Sequence, residues 1–160
     1  NALEEAIANL LEAKEAEGKK LAEDMINRLE LINENILNIS QYSTGLIDQY
    51  VVKLKDRIKE MLQTDIVDEA RISQEVVLYA DKTSIEEEIT RLKSHIVQFK
   101  ELLQSESIKK KKKRLDFIIQ EMNREVNTIG SKSNCLEITN LVIELKTELE
   151  DVREQVQNIE

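Results

Sequence analysis

The sequence predicts an all-α protein that combines a long antiparallel helical hairpin, similar to a coiled coil, with a compact bundle of shorter helices. Apolar residues make up 41% and charged residues 34% of the 160-residue chain, which is typical of long helices and coiled coils. Proline, which interrupts helices, does not occur, and there are only three glycines. No run of alternating apolar and polar residues between turn signals predicts a strand.

The helical hairpin is predicted over residues 1–63. Apolar residues recur at steps of four and three along residues 25–39, which is the pattern of a helix that pairs with another helix. A second apolar pattern runs over residues 46–62. We therefore expect two antiparallel helices whose tip lies near residues 40–45.

A compact helical region is predicted over residues 64–135. Its first helix is expected from a cap at Asp65 to Tyr79. Ser84, with Glu87 three places later, forms a capping-box pattern and predicts the start of the next helix.

Two amphipathic helices follow. Residues 115–129 carry an apolar stripe, and Gly130 is the expected stop of that helix. Residues 136–160 carry a near-heptad apolar stripe to the end of the chain and form the predicted C-terminal amphipathic helix.

Charge, cysteine content and hydropathy exclude several classes of protein. The net charge of −9 disfavours binding of nucleic acid by the whole surface. The lone Cys135 cannot form an internal disulfide, and no metal-binding CxxC motif is present. Because no long apolar run or secretory signal occurs, we expect a soluble, intracellular protein that contacts no membrane. The chain starts at Asn1 without an initiator Met, so we expect an engineered fragment.

Positive charge is concentrated in the run KKKKKR at residues 109–114. If all these cations met single-stranded phosphates, the logarithm of affinity would fall with the logarithm of salt concentration at a slope of about −4. A solvated loop is the alternative interpretation.

The helix after this run has an unusual polar face. Amides and hydroxyls stand in the stretch RLDFIIQEMNREVNTIGSKS, residues 114–133, where a solvated helix normally repeats Glu and Lys. Such a face is either wetted by solvent or built to bind a partner.

Carboxylates and one imidazole supply the candidate chemistry. No nucleophile motif and no phosphate-binding glycine loop occur in the sequence. Glu121 and Glu125 lie one helical turn apart, whereas Glu88 and His95 lie two turns apart on the preceding helix. Such groups can bind a hard divalent cation that clamps a phosphodiester and activates water. They are also common as surface pairs and as structural groups.

The polar stretch at residues 114–133 resembles part of a known protein family. Together with VDEARISQEVVLYADKTSIEEEITRLKSHIVQF at residues 67–99 and REQVQNIE at the end of the chain, it resembles the C-terminal region of the bacterial YicC/YloC family. The resemblance implies a cytoplasmic, ring-forming homo-oligomer of a stress-induced protein family, with endoribonuclease activity that depends on Mn²⁺ or Mg²⁺. It also implies RNA rather than DNA as the partner, and a separate N-terminal domain outside this fragment.

The resemblance also implies roles for individual residues, through the patterns EExxRLxSH at residues 87–95 and QExNRE at residues 120–125. The expected catalytic residues are His95, Glu88 and Glu121. The expected metal ligands are Glu87, Glu88, His95, Glu121 and Glu125. The expected RNA-binding residues are Arg71, Arg91, Lys112, Lys113, Arg114, Arg124 and Lys132. Two departures from the family pattern are the lysine run, where a Gly-Arg-Lys is common, and Cys135, where an acidic residue is common.

A non-catalytic role is the alternative hypothesis. Polar side chains on helices also lock neighbouring helices together through buried hydrogen bonds. The fragment would then be a helical assembly module or an RNA-binding module of a stress-induced protein. The position of the polar groups distinguishes the two hypotheses, because a nuclease site opens to solvent whereas an assembly network is sealed between helices.

Overall fold

The computed structural model describes residues 2–63, 67–105 and 111–159, and these residues confirm the all-α prediction. The helices are α1 (Ala2–Thr44), α2 (Leu46–Leu62), α3 (Glu69–Thr83), α4 (Glu86–Gln104), α5 (Lys112–Lys132) and α6 (Leu136–Gln157). No strand occurs within the described ranges. None of the described helices combines the length and apolar character that a membrane crossing requires.

Helices α1, α4, α5 and α6 form a four-helix bundle. Each packs against two of the others, in the cyclic order α1, α6, α5, α4. Helices α1 and α6 run antiparallel, as two contacts between them show: Arg28 pairs with Asp151, whereas Asp24 accepts a hydrogen bond from Gln155. This arrangement removes from water the apolar stripes of α4, α5 and α6 and the part of the α1 stripe within residues 25–39.

The bundle encloses one continuous core. In α1 its fully buried side chains are those of the predicted seam, namely Met25, Leu29, Ile32, Ile36 and Ile39. The other three helices add their own stripes, with Phe99, Met122 and Leu149 among the fully buried side chains. The three segments predicted from the sequence therefore share a single core.

The pairing of α1 differs from the expected one, although its buried stripe is predicted correctly. Residues 46–62 contribute no buried side chain, so α2 does not cover the α1 stripe. Gly45 has backbone angles of φ −92° and ψ −5°, which are helical, so it introduces no left-handed turn between the two helices. The partners that bury the α1 stripe are α6 and α4.

Helix α2 instead forms an antiparallel pair with α3. The rings of Tyr50 and Tyr79 stack with their centroids 3.7 Å apart, and Lys55 pairs with Glu69 at 3.2 Å. The helical hairpin of this chain is thus α2–α3, and it stands beside the bundle rather than within it.

Gly130 is not the stop of its helix, because α5 continues to Lys132. A Cβ atom at Gly130 would lie 3.2 Å from Cγ1 of Val142, which is closer than ordinary van der Waals contact. The glycine therefore permits the close approach of α5 and α6.

Two helix starts also differ from the predicted caps. The cap of α3 is Asp68, whose side chain accepts hydrogen bonds from the backbone of Ala70 and Arg71, whereas Asp65 lies outside the described residues. Helix α4 begins after Ile85 without a side-chain cap, so the capping box expected at Ser84 does not form.

Candidate nucleic-acid interface

The unusual polar face of α5 lines a groove beside α6. We call this the α5–α6 groove; it is open to solvent and has a volume of about 600 Å³. Its lining residues are Gln120, Asn123, Arg124, Asn127, Thr128, Ser131 and Arg153. Each α5 member lies three or four residues from at least one other member, so the helix presents them on one side. Six polar residues of the stretch 114–133 are therefore concentrated at one site.

The two guanidinium groups of the α5–α6 groove are held differently. Arg153 donates from Nε to Oδ1 of Asp116 over 3.3 Å, and Asp116 also accepts a hydrogen bond of 2.8 Å from Gln120. Asp116 thus fixes one wall of the groove. The side chain of Arg124 is 76% exposed, and its ion-pair partner Glu121 is 3.9 Å away. Arg124 is therefore available to an incoming anion.

The opposite side of α5 carries an α4–α5 ion-pair network made of Glu87, Glu88, Arg91, Glu125 and Lys132. Buried Glu88 accepts a hydrogen bond of 2.7 Å from Lys132, which also donates to the backbone oxygen of Ser84 over 3.0 Å. Arg91 pairs with Glu87 and lies 3.4 Å from buried Glu125. The charge of Glu87, followed by the hydrogen bond from Arg91 to Glu125, raises the pKa of Arg91.

This network affects the expected metal site. Three of the five expected ligands, Glu87, Glu88 and Glu125, already neutralise Arg91 or Lys132. In the three described ranges, no group of three or more His, Cys, Asp and Glu side chains is close enough to hold a metal ion. The expected ligands therefore do not fit a single preformed metal site within the described part of this chain.

His95 is half-buried on α4, and its Nδ1 atom is buried without a hydrogen-bond partner among the described residues. Oε2 of Glu88 is likewise buried and unpaired there. Buried polar atoms without partners are uncommon and mark places where a further group could bind. Glu121, the third expected catalytic residue, is half-buried beside Arg124.

The expected RNA-binding cations are dispersed over the fold. Arg124 lies in the α5–α6 groove, whereas Arg91 and Lys132 belong to the α4–α5 ion-pair network. Arg71 lies on α3 and is 3.6 Å from Asp68. The sequence prediction therefore identified a groove residue, but it grouped that residue with cations on other faces.

The described residues of the lysine run also have different environments. Lys112 donates to the backbone oxygen of Gln157 over 2.6 Å, so it caps the C-terminal end of α6, where helix carbonyls lack partners. Lys113 and Arg114 are exposed and form no ion pair with any described residue. Residues 109 and 110 of the run lie outside the described ranges.

Arg153 is a groove residue that the sequence analysis missed. It belongs to the terminal REQVQNIE motif, so a signal was present. Only the antiparallel packing of α6 on α5, however, places its guanidinium at Asp116.

The fold and groove define a class: a helical-bundle domain with a solvent-open polar groove that carries arginines and amides. The family model described as "Endoribonuclease YicC-like, C-terminal" matches residues 39–160. The chain therefore belongs to the YicC-like endoribonuclease family and corresponds to its C-terminal region. The resemblance identified from the sequence is confirmed.

Two curated relatives agree with this assignment. A protein of Clostridioides difficile named "Probable endoribonuclease YicC" is 53% identical over 161 residues, covering 99% of this chain and 54% of the relative. A protein of the same name from Haemophilus influenzae is 30% identical over 159 residues, with the same two coverages. The chain thus spans about half the length of the curated relatives it matches.

Proposed function

We propose that this chain is the helical C-terminal part of a cytoplasmic, divalent-metal-dependent endoribonuclease and that its α5–α6 groove binds the RNA. The family assignment and the names of both relatives support RNA cleavage. The observation that carries the proposal is the juxtaposition of Arg124 and Arg153 with amides and hydroxyls in one open groove.

The chemistry of the α5–α6 groove suits an RNA backbone. Arginine guanidinium groups bind phosphate through two parallel hydrogen bonds. The amides of Asn123 and Asn127 both donate and accept, so they can contact base edges or the ribose 2′-hydroxyl. Asp116 keeps the guanidinium of Arg153 oriented before RNA arrives, which reduces the entropic cost of binding.

For the cleavage step, we propose His95 and Glu121 as proton-transfer groups, with Glu88 as a positioning residue. Phosphodiester hydrolysis needs a base near the attacking water and an acid near the leaving oxygen. The buried Nδ1 atom of His95 makes no hydrogen bond with any described residue, so no structural contact already uses it. A metal would then need ligands beyond the described residues, because His95 and Glu121 do not coordinate it while they transfer protons.

A second function is favoured by the α4–α5 ion-pair network. Glu88 and Glu125 are buried and paired with cations, as expected of residues that lock two helices together. Under this alternative, the domain is a non-catalytic assembly or RNA-binding module, and the chemistry belongs to other parts of the protein.

We also propose self-association. Residues 3–17 of α1 are exposed along their length, and Leu3, Ile7, Leu10 and Leu11 form an exposed apolar stripe there. An exposed stripe of this kind marks an interaction surface. Because a carboxylate would interrupt this stripe, the variant Ile7→Asp should show a lower molar mass than wild type in light scattering. An unchanged mass would contradict self-association through this part of α1.

The cleavage assay separates the two functions. The full-length protein is incubated with a small structured RNA and either Mn²⁺ or Mg²⁺, and the rate is compared for His95→Ala, Glu121→Gln and the control Arg57→Gln on α2. Loss of cleavage in the first two variants, with folding and the control intact, supports the catalytic assignment. Unchanged cleavage in both would remove it, and absence of cleavage by the wild type on several RNAs would favour the non-catalytic alternative.

A further inference from the structure

The two phenylalanines of this chain have opposite environments. Phe99 is fully buried in the bundle core, whereas Phe117 is 60% exposed on α5. The remainder of that solvent face carries polar and charged groups, so Phe117 is not part of an apolar patch. Neither the core nor the lining of the α5–α6 groove uses this ring.

Phe117 lies in line with groups that bind phosphate and bases. Steps of four, three and four residues place Lys113, Phe117, Gln120 and Arg124 in one stripe along the solvent face of α5. The stripe continues to Ser131 in the groove. At 1.5 Å per residue, the distance along the helix from Lys113 to Ser131 is about 27 Å, enough for at most about eight stacked nucleotides.

We propose that Phe117 is a stacking platform for an unpaired base, and that this stripe of α5 selects single-stranded RNA over duplex RNA. The inference rests on the proposed RNA-binding function of the α5–α6 groove. In a single strand the face of a base can be turned out and stacked on an aromatic ring. In a duplex the base faces are covered by their neighbours, so the ring has no partner.

Charge complementarity identifies the occupant. Lys113, Arg114 and Arg124 expose their positive charge around the ring, although the whole chain carries a net charge of −9. A phosphate chain would neutralise these cations, whereas the same face of a second copy would oppose them with like charges. The isolated ring also offers little of the contiguous apolar area that a protein partner uses.

The test measures RNA affinity by fluorescence anisotropy, with the full-length protein and no divalent metal so that the probe stays intact. The probes are a labelled, unstructured single-stranded RNA and a blunt duplex of the same length. The variants are Phe117→Ala, Phe117→Trp and the control Ile143→Ala, which removes a side chain that is 59% exposed on α6.

We expect Phe117→Ala to weaken binding of the single strand by about 5- to 150-fold, the loss typical of one base–aromatic stack. Duplex binding should change by less than about twofold, Phe117→Trp should retain single-strand affinity, and Ile143→Ala should resemble wild type. Circular dichroism checks that each variant is folded.

Three results would overturn the inference: unchanged single-strand affinity in Phe117→Ala, an equal loss on single strand and duplex, or a change of oligomeric mass without a change in RNA affinity. If wild type binds the single strand and Phe117→Ala binds it with the same affinity, only the stacking role fails. If wild type binds neither probe, the proposed RNA-binding function fails with it.

Discussion

At Arg124 the geometry of the side chain matters as well as its charge. Lysine would keep the positive charge but lose the planar fork that binds phosphate through two hydrogen bonds. We therefore expect Arg124→Lys to weaken RNA binding by about three- to tenfold while leaving the salt dependence unchanged. Binding titrations at several salt concentrations check this. Arg57→Lys, on α2, serves as the control, and an equal loss in that variant would contradict the prediction.

Lys132 shows how an expected RNA-binding residue is used by the fold. Its removal leaves the carboxylate of Glu88 buried without its cation, which is more costly than losing both charges. Because the Lys132 side chain is partly exposed, we expect Lys132→Met to lower the free energy of unfolding by about 1–3 kcal/mol, measured by urea denaturation.

The double variant Lys132→Met/Glu88→Gln is the matched comparison. It should recover part of the loss, since no uncompensated buried charge remains. If Glu88→Gln lowers the free energy of unfolding as much in the Lys132→Met background as it does alone, the two residues are not coupled and the interpretation fails.

Sequence reasoning located most of the polar groove but did not predict the ion pairs of the acidic cluster. The groove follows from one helix, since residues at steps of three and four on α5 share a side whatever α5 packs against. The acidic cluster lies between two helices. Arg91 and Lys132 form ion pairs with carboxylates that were expected to bind metal. The periodicity of apolar residues does not reveal which cation pairs with which carboxylate.

Among the helices, the α2–α3 hairpin has a pH-sensitive contact. Desolvation and then the charge of Glu75, whose carboxylate accepts a 3.3 Å hydrogen bond from the hydroxyl, raise the pKa of Tyr50 above its usual value. A raised folded-state pKa gives stability that is complete below the unfolded-state pKa of about 10 and is lost as the pH rises through the folded-state value.

We therefore expect wild type to lose more stability than Tyr50→Phe between about pH 9 and pH 11, because phenylalanine has no proton to lose. The measurement is the free energy of unfolding from urea titrations at both pH values, with Tyr42→Phe as the control. Parallel losses in wild type and Tyr50→Phe would show that this hydroxyl is not involved.

The helix pairing illustrates what an amphipathic pattern leaves open. The seam of α1 was predicted residue by residue, and each of its members is buried. Its partner was expected to be the next helix in the chain, but α6 and α4 cover it. An apolar stripe specifies which face of a helix is buried but not which helix covers it. Helix α6 contributes six buried side chains, whereas α2 contributes none although it also carries an apolar stripe.

In the molecule as a whole, α1 has a buried part and an exposed part along its length. Leu29 is fully buried in the bundle, whereas Leu10 is 58% exposed in the part of α1 that extends beyond it. Leu29→Ala should lower the free energy of unfolding by about 2–5 kcal/mol, because it leaves a cavity. In the dissociated monomer at low protein concentration, Leu10→Ala should change the free energy of unfolding by less than about 0.5 kcal/mol. Chemical denaturation of both variants tests this, and similar losses would contradict the division of α1.

The RNA affinity of the double variant Arg124→Gln/Arg153→Gln tests the role of the α5–α6 groove. The comparison is Lys53→Gln/Arg57→Gln, which removes the same charge from α2. If the groove binds single-stranded RNA, the groove variant should lose more than about tenfold in affinity, and the slope of log affinity against log salt should become shallower by about 1.4, or about 0.7 for each lost phosphate contact. Equal losses in the two double variants would show that RNA does not distinguish the groove from the rest of the surface.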